Sequence, residues 1–75
     1  MTWNYRVLAH QKEEGVYFII HAVFVNKNGN PYEYTANPTT VSGDNVKQIR
    51  RKLKQMKKAT KKPVLWAGNK FPEEY

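Results

Sequence analysis

Apolar and polar residues alternate along the first part of the chain with the period of two that is typical of a β-strand. This alternation predicts a first strand over about residues 3–10. A run rich in β-branched and aromatic residues follows and predicts a central strand over about residues 16–26. Asn28-Gly29, a dipeptide favoured in type I′ hairpin turns, comes next, so a third strand over about residues 31–37 is expected to pair back.

The apolar spacing changes to three and four residues further along, which predicts an amphipathic helix over about residues 45–61. Asn45 is the expected N-cap because Gln48, three residues on, completes the spacing of a capping box; Asp44 is the alternative. Pro63 ends the helix because its ring prevents the helical hydrogen-bond pattern from continuing. The stripe expected to pack on the sheet consists of Val46, Ile49, Leu53, Met56 and Thr60.

A tail over residues 63–75 follows the helix and places apolar residues among glycine and proline. Both faces of the central strand are largely apolar, whereas one narrow helix covers only one of them. The other face must therefore be buried by something else. We favour Trp66 and Phe71 of the tail, and a second copy of the chain is the alternative. The sequence thus predicts one small α+β domain over residues 1–75, a three-stranded antiparallel sheet with one C-terminal helix packed on one face, as a monomer or weak homodimer.

The composition narrows the class of protein. A formal net charge of +7 and a pI near 9.8 favour polyanionic partners, nucleic acid first. The absence of cysteine excludes disulfides and thiolate metal sites. The first ten residues lack the basic start and apolar core of a signal peptide, and the longest apolar run is about half of what a bilayer requires. We therefore expect a cytoplasmic protein with no membrane partner.

Basic residues are concentrated on the predicted helix. Nine of the thirteen Lys and Arg residues lie between residues 45 and 62, a segment without Asp or Glu. With Leu53 turned to the core, five of them form an exposed row that two others border: Lys47, Arg51, Lys54, Lys58 and Lys61, with Arg50 and Lys57 on the core side. Such a row binds phosphates without reading bases, and an acidic protein surface is the second partner it fits. A solvated lysine-rich face without any partner is an equally weighted interpretation.

Aromatic residues on the predicted strands fit the nucleic-acid interpretation in one further way. A sheet face with exposed aromatic rings beside a basic helix is one arrangement that stacks single-stranded bases. Core packing and cross-strand pairing are the commoner uses of such residues. The residues concerned are Trp3, Tyr5, Tyr17, Tyr32 and Tyr34.

Candidates for catalysis or metal binding are few. His10 and His21 share a sheet face only if the strand register aligns them, and no third ligand has the spacing of a zinc site. We expect His21, in the middle of the most apolar strand, to be buried and hydrogen-bonded. The six acidic residues form no recognisable catalytic pair, and Ser42 is expected only to begin the helix. The sequence therefore predicts a protein that is not an enzyme and holds no metal or cofactor.

Several short motifs, in this order, give the chain a resemblance to a known group of proteins: Tyr5-Arg6-Val7, Ile20-His21-Ala22-Val23, Asn28-Gly29, Tyr34-Thr35-Ala36-Asn37-Pro38, Gly43-Asp44, Leu53 with Met56, and Lys62-Pro63-Val64-Leu65. Together they resemble a family of short, uncharacterised bacterial and phage proteins of β-β-β-α plan, over nearly the whole chain. The resemblance implies the fold and brings no catalytic residue. That family tends to carry more acidic residues on the helix than this chain does. In topology alone the chain is similar to HicB-like antitoxin domains, which bind a partner protein.

Two functions remain open at this point. The first is a small non-enzymatic binding protein whose basic helix contacts an anionic partner, with nucleic acid favoured. The alternative is a regulatory protein-interaction module, of phage or bacterial type, that uses an exposed face or edge of the sheet.

Overall fold

The computed structural model describes residues 2–75 and shows an α+β fold, with one α-helix and a curled mixed sheet of four strands. The strands lie in the order β3-β2-β1-β4. In chain order the elements are β1 (Thr2–Lys12), β2 (Gly15–Val25), β3 (Pro31–Tyr34), α1 (Val46–Ala59) and β4 (Leu65–Trp66), followed by a single 3₁₀ turn (Gly68–Lys70).

The long hairpin of β1 and β2 is the frame of the molecule. The two strands pair antiparallel over their full length, from Thr2 opposite Val25 to Lys12 opposite Gly15. Because side chains alternate along a strand, this register sorts them onto two faces. The helix face carries Trp3, Tyr5, Val7 and Ala9 with Phe18, Ile20, Ala22 and Phe24; the tail face carries Asn4, Arg6, Leu8 and His10 with Tyr17, Ile19, His21 and Val23.

The β2–β3 connection differs from the predicted type I′ turn. Positive φ occurs at Gly29 (82°) and at no non-glycine residue among residues 2–75, whereas a type I′ turn requires it at Asn28 as well. The side chain of Asn26 explains the difference, since its Oδ1 accepts hydrogen bonds from the amides of Asn28 (2.9 Å) and Asn30 (3.0 Å). A wider loop results, and β3 still pairs antiparallel with β2 as expected.

Helix α1 begins at the predicted cap. The Asn45 Oδ1 accepts a hydrogen bond from the Gln48 amide (2.9 Å), and the Gln48 Oε1 accepts one from the amide of Asp44 (2.8 Å). This is the reciprocal arrangement of a capping box, displaced by one residue on the return bond. The helix ends at Thr60, whose hydroxyl donates to the Lys57 carbonyl, three residues before Pro63.

The predicted core stripe of the helix is wrong by part of a turn. Leu53 is 50% exposed and Val46 is 64% exposed, whereas Met56 and Ala59 are buried. Partly buried Ile49 and Lys52 complete the side that faces the sheet. At 100° per residue this side is turned by about 60° from the predicted stripe. Ala59 permits close approach to the sheet, and Lys52 can lay its aliphatic stem on it while the ammonium group stays in water.

The tail covers the second face of the hairpin and adds a strand that the sequence did not predict. Leu65 and Trp66 form β4, which pairs parallel with Leu8 and Ala9 of β1. Residues 73–75 return alongside it, with the Trp66 amide donating to the Glu73 carbonyl at 2.8 Å. The sheet is therefore mixed and four-stranded, instead of purely antiparallel and three-stranded.

Buried residues lie on both faces of the hairpin, with Ala9, Met56 and Ala59 on the helix side and a cluster on the tail face. Leu8, Val23 and Leu65 form a buried cluster, against which Tyr34, Ala67 and Phe71 pack. Phe71 thus has the covering role expected of the tail. Trp66 does not, since its ring lies against Tyr75 at 5.0 Å between centroids.

Candidate nucleic-acid interface

The basic residues of the helix lie on its solvent side. The corrected orientation of α1 places six of the seven candidate residues around the pole opposite the sheet; Lys61 follows in the turn after the helix, and all seven are exposed. Arg50 and Lys57, which were expected beside the core, are exposed with the others. We call this surface the basic face: Lys47, Arg50, Arg51, Lys54, Lys57, Lys58 and Lys61.

No acidic residue balances the basic face along the chain. Between Asp44 and Glu73 the sequence contains neither Asp nor Glu. Like charges three and four residues apart destabilise a helix by about 0.2–0.5 kcal/mol per pair. The cap at Asn45, the packing of Met56 and Ala59, and the position of Lys57 and Lys58 at the negative end of the helix dipole offset this cost.

A groove runs between the helix and the start of β1, on the flank of α1 away from Leu53. It consists of two adjoining hollows of about 290 and 410 Å³ that share Trp3, Tyr5 and Gln55. Cationic side chains from the helix and from the turn after it line the same space. We call it the Trp3 groove; its lining residues include Gln48, Arg51, Lys52, Lys58 and Lys62.

Trp3 is the most accessible ring of the groove. It is 51% exposed, and its ring meets Tyr5 edge-on at 5.1 Å between centroids and 80° between planes. The contact with Tyr5 holds the indole in place, and about half of the Trp3 surface stays accessible. The groove therefore combines an accessible aromatic surface with Arg51, Lys58 and Lys62, three basic residues that line it.

The two histidines meet on the tail face. The Nε2 atoms of His10 and His21 are 3.0 Å apart, although the register separates their Cα positions by four residues along the strand. The two side chains lean toward each other across the hairpin, and their ring centroids are 5.1 Å apart. The expectation that His21 is buried and hydrogen-bonded is confirmed: it is 1% exposed, and its Nδ1 lies 2.9 Å from the Thr35 carbonyl oxygen.

These distances assign the protons of the neutral pair. A carbonyl oxygen only accepts, so the Nδ1 of His21 donates to Thr35 and its Nε2 carries a lone pair. His10 must then donate from Nε2 to that lone pair. Burial lowers the pKa of His21, the hydrogen bond to Thr35 partly offsets this, and the charge of a protonated His10 lowers it further.

The remaining polar candidates do not form a site. Among residues 2–75 no three His, Cys, Asp or Glu side chains gather as a metal-binding group. Glu13 and Glu14 lie in the turn between β1 and β2, and Ser42 is exposed before the helix. Burial lowers the pKa of the Arg6 guanidinium, and Glu74 partly offsets this. Arg6 donates from Nη2 to the Pro63 carbonyl at 2.6 Å, so its role is to hold the tail.

In comparisons with protein-family models, curated proteins and solved structures, none matches the chain. The resemblance drawn from short motifs therefore stays an expectation. In the described part of the chain, no helix has the length and apolar character needed to cross a bilayer.

Sequence reasoning identified the cations of the basic face and included Trp3 among the aromatic candidates, but it did not connect them into a groove. Lys62 and Gln55 were not candidates at all. The signal that could have helped is the alternation of Trp3 and Tyr5, which places both rings on one face of β1. The rotation of the helix about its axis decides which basic residues lie beside these rings. The spacing of apolar residues in the sequence does not predict this rotation.

Proposed function

We propose that this protein binds single-stranded nucleic acid without catalysing a reaction, with a base stacked on Trp3 and phosphates held by the basic residues of α1. The observation that carries the proposal is the Trp3 groove, where an indole 51% exposed faces a wall that includes Arg51 and Lys58. Aromatic stacking beside a positively charged groove is the general physical basis of single-strand binding.

Charge supports the same partner at longer range. The chain carries a formal net charge of +7, and the basic face holds seven of its thirteen Lys and Arg residues. Such a surface attracts a polyanion and raises the rate of encounter in a salt-dependent manner. Arg51 and Lys58, two turns apart and about 10 Å along the axis, belong both to the basic face and to the groove. A strand drawn to the basic face therefore reaches the groove without crossing neutral surface.

A single strand fits better than a duplex because paired bases have no free faces to stack. In a duplex only phosphates would reach the basic face, and Trp3 would contribute nothing. Stacking on one aromatic side chain is worth about 1–3 kcal/mol per base, which is enough to give a clear preference for unpaired nucleic acid. Such binding reads little sequence, because every base offers a stacking surface.

The experiment is fluorescence anisotropy of labelled single-stranded DNA, single-stranded RNA and duplex DNA of mixed sequence, titrated with the protein at several salt concentrations. We expect tighter binding of single strands and an affinity that falls with salt. The double variant Arg51→Gln/Lys58→Gln should weaken binding and reduce the salt slope by about 0.7 for each phosphate that is no longer neutralised.

The matched control is Lys12→Gln/Lys27→Gln, which removes the same charge at two exposed positions, one at the end of β1 and one in the β2–β3 loop. If the basic face is the binding surface, this control binds nearly as the parent does. Equal weakening by both double variants would show only a general effect of net charge. No binding by the parent at low salt would contradict the proposal.

A protein partner is the second candidate, in the form of a regulatory module of phage or bacterial type. Phe18 is 53% exposed on the helix face of the hairpin, where its ring meets Tyr75 at 5.2 Å between centroids. An exposed phenylalanine on a strand is a suitable anchor for a partner surface. Under this alternative Phe18→Ser abolishes partner binding, and the basic-face variants do not.

A further inference from the structure

The His10–His21 pair on the tail face brings two imidazole nitrogens close enough together to ligate one metal ion. Their Nε2 atoms are 3.0 Å apart. With metal–imidazole bonds of about 2.0–2.1 Å, two nitrogens at this distance subtend an angle of about 91–97° at a shared ion. This is the angle between neighbouring ligands of a square-planar or tetragonal ion. A tetrahedral ion would require a separation of about 3.3–3.4 Å.

The surroundings of His21 fix its orientation as a metal ligand requires. Its Nδ1 donates to the Thr35 carbonyl, and the Thr35 amide is bonded in turn to the Ala22 carbonyl at 3.1 Å. A histidine that ligates a metal usually donates its other nitrogen to a carbonyl or carboxylate in this way, which fixes the tautomer and makes the ligating nitrogen more basic. The lone pair of His21 Nε2 therefore points toward His10 before any ion arrives.

The rings around the pair hold it further. His10 stacks on Tyr17 at 5.0 Å and 19°, and His21 meets the edge of Tyr34 at 5.3 Å. His10 is only partly buried and lines an open hollow of about 360 Å³ together with Tyr34 and Asn69. An ion can thus reach the buried His21 from the side of His10.

From this geometry we infer that His10 and His21 form a two-imidazole site for a divalent transition metal, with Cu²⁺ the ion that it fits best. Cu²⁺ prefers tetragonal coordination by nitrogen and binds a given nitrogen site more tightly than Ni²⁺ or Zn²⁺. The ion replaces the proton of the His10–His21 hydrogen bond and lies beside the line that joins the two Nε2 atoms. His10 changes tautomer on binding: its Nε2 proton is released to solvent, a proton is taken up at Nδ1, and the Nε2 lone pair becomes free to ligate. Water completes the coordination. The expectation of no metal site assumed a third protein ligand, which a tetragonal Cu²⁺ site does not need.

The site is independent of the proposed function. It lies on the tail face, whereas the Trp3 groove lies on the helix face of the same hairpin. Loss of one is therefore not expected to remove the other, and the two proposals fail separately.

The test is titration of the full chain with Cu²⁺ alone in a non-coordinating buffer, followed by electron paramagnetic resonance. We expect one Cu²⁺ per chain, with a tetragonal signal and pulsed-resonance modulation from two imidazoles. His10→Phe keeps a ring stacked on Tyr17 and should retain the fold, as circular dichroism would show. In this variant we expect the two-imidazole signal to disappear and the affinity to fall to that of a variant without histidine.

The chain makes the control simple, because it contains no third histidine and no cysteine. Tyr17→Phe retains both ligands and should bind Cu²⁺ as the parent does. A parent spectrum with a single imidazole, or Cu²⁺ binding unchanged by His10→Phe, would overturn the inference. Absence of binding would overturn it as well.

Discussion

The Tyr34 hydroxyl accepts a hydrogen bond from the backbone amide of Gly68 at 2.8 Å and so joins the edge strand of the sheet to the tail. The same ring packs against Phe71 at 4.8 Å and against His21 at 5.3 Å. One side chain thus connects β3, the central strand and the tail.

Removal of this hydroxyl tests whether the tail is fastened as described. Tyr34→Phe keeps the aromatic contacts and leaves the Gly68 amide without its partner, so we expect a loss of about 0.5–1.5 kcal/mol in the free energy of unfolding. Chemical denaturation measures it. Tyr32→Phe is the matched control, because Tyr32 is 45% exposed and should lose almost nothing. Equal losses in both variants would show that the tail is not held at Tyr34.

Met56 and Leu53 test the orientation of the helix. Met56 is 7% exposed and Leu53 is 50% exposed. We expect Met56→Ala to cost about 2–5 kcal/mol and Leu53→Ala to cost much less, because only the first substitution leaves a cavity in the core. Thermal unfolding of both variants gives the comparison. A larger loss of stability for Leu53→Ala than for Met56→Ala would show that the helix packs on the sheet with the stripe predicted from the sequence.

Truncation after Pro63 tests the cover of the tail face. The shortened chain loses Leu65 and Phe71, so Leu8 and Val23 become exposed on a sheet face with no other cover. We expect self-association or loss of solubility, measured by sedimentation. A truncated chain that stays monomeric and equally stable would contradict the described core.

The buried His21 makes stability depend on pH. Its pKa in the folded chain is lowered below the ordinary value of 6.5, so between these two values the unfolded chain binds more protons. The stabilising contribution is complete above about pH 6.5 and is lost as the pH falls toward the folded pKa. Denaturation with a chelator present, at a series of pH values, should show this decline.

Two variants test whether His21 or His10 causes the decline in stability at low pH. His21→Gln keeps a donor for the Thr35 carbonyl and should lose most of the slope below neutral pH. His10→Phe leaves His21 buried, so the slope should persist. A parent protein equally stable throughout this pH range would contradict the burial of His21.

Much of the fold follows from the sequence because local signals decide it. The alternation along β1, the apolar run of β2 and the cap at Asn45 each reflect a short-range preference that the tertiary structure retains. The rotation of α1 was not predictable in this way. Val46 and Leu53 are apolar and were expected to face the sheet, but both are exposed. The helix instead approaches the sheet through the small Ala59 and the aliphatic stem of Lys52. A hydropathy pattern assigns Lys52 to the solvent side because lysine is charged.

The site features that the sequence did not predict are long-range. The register of β1 and β2 places His10 and His21 on the same face but four residues apart, and their side chains meet diagonally across the hairpin. Strand β4 has only two residues, too few to show an alternating pattern. The Trp3 groove depends on both the register of the sheet and the rotation of the helix.

The most direct test of the central claim is the fluorescence of Trp3 itself. The chain contains two tryptophans, and Trp66→Phe leaves Trp3 as the only indole. In this background we expect single-stranded DNA to quench the emission in a saturable manner, with the same midpoint as the anisotropy titration, and duplex DNA to quench it far less. Binding of single strands that leaves the emission of Trp3 unchanged would contradict stacking in the groove.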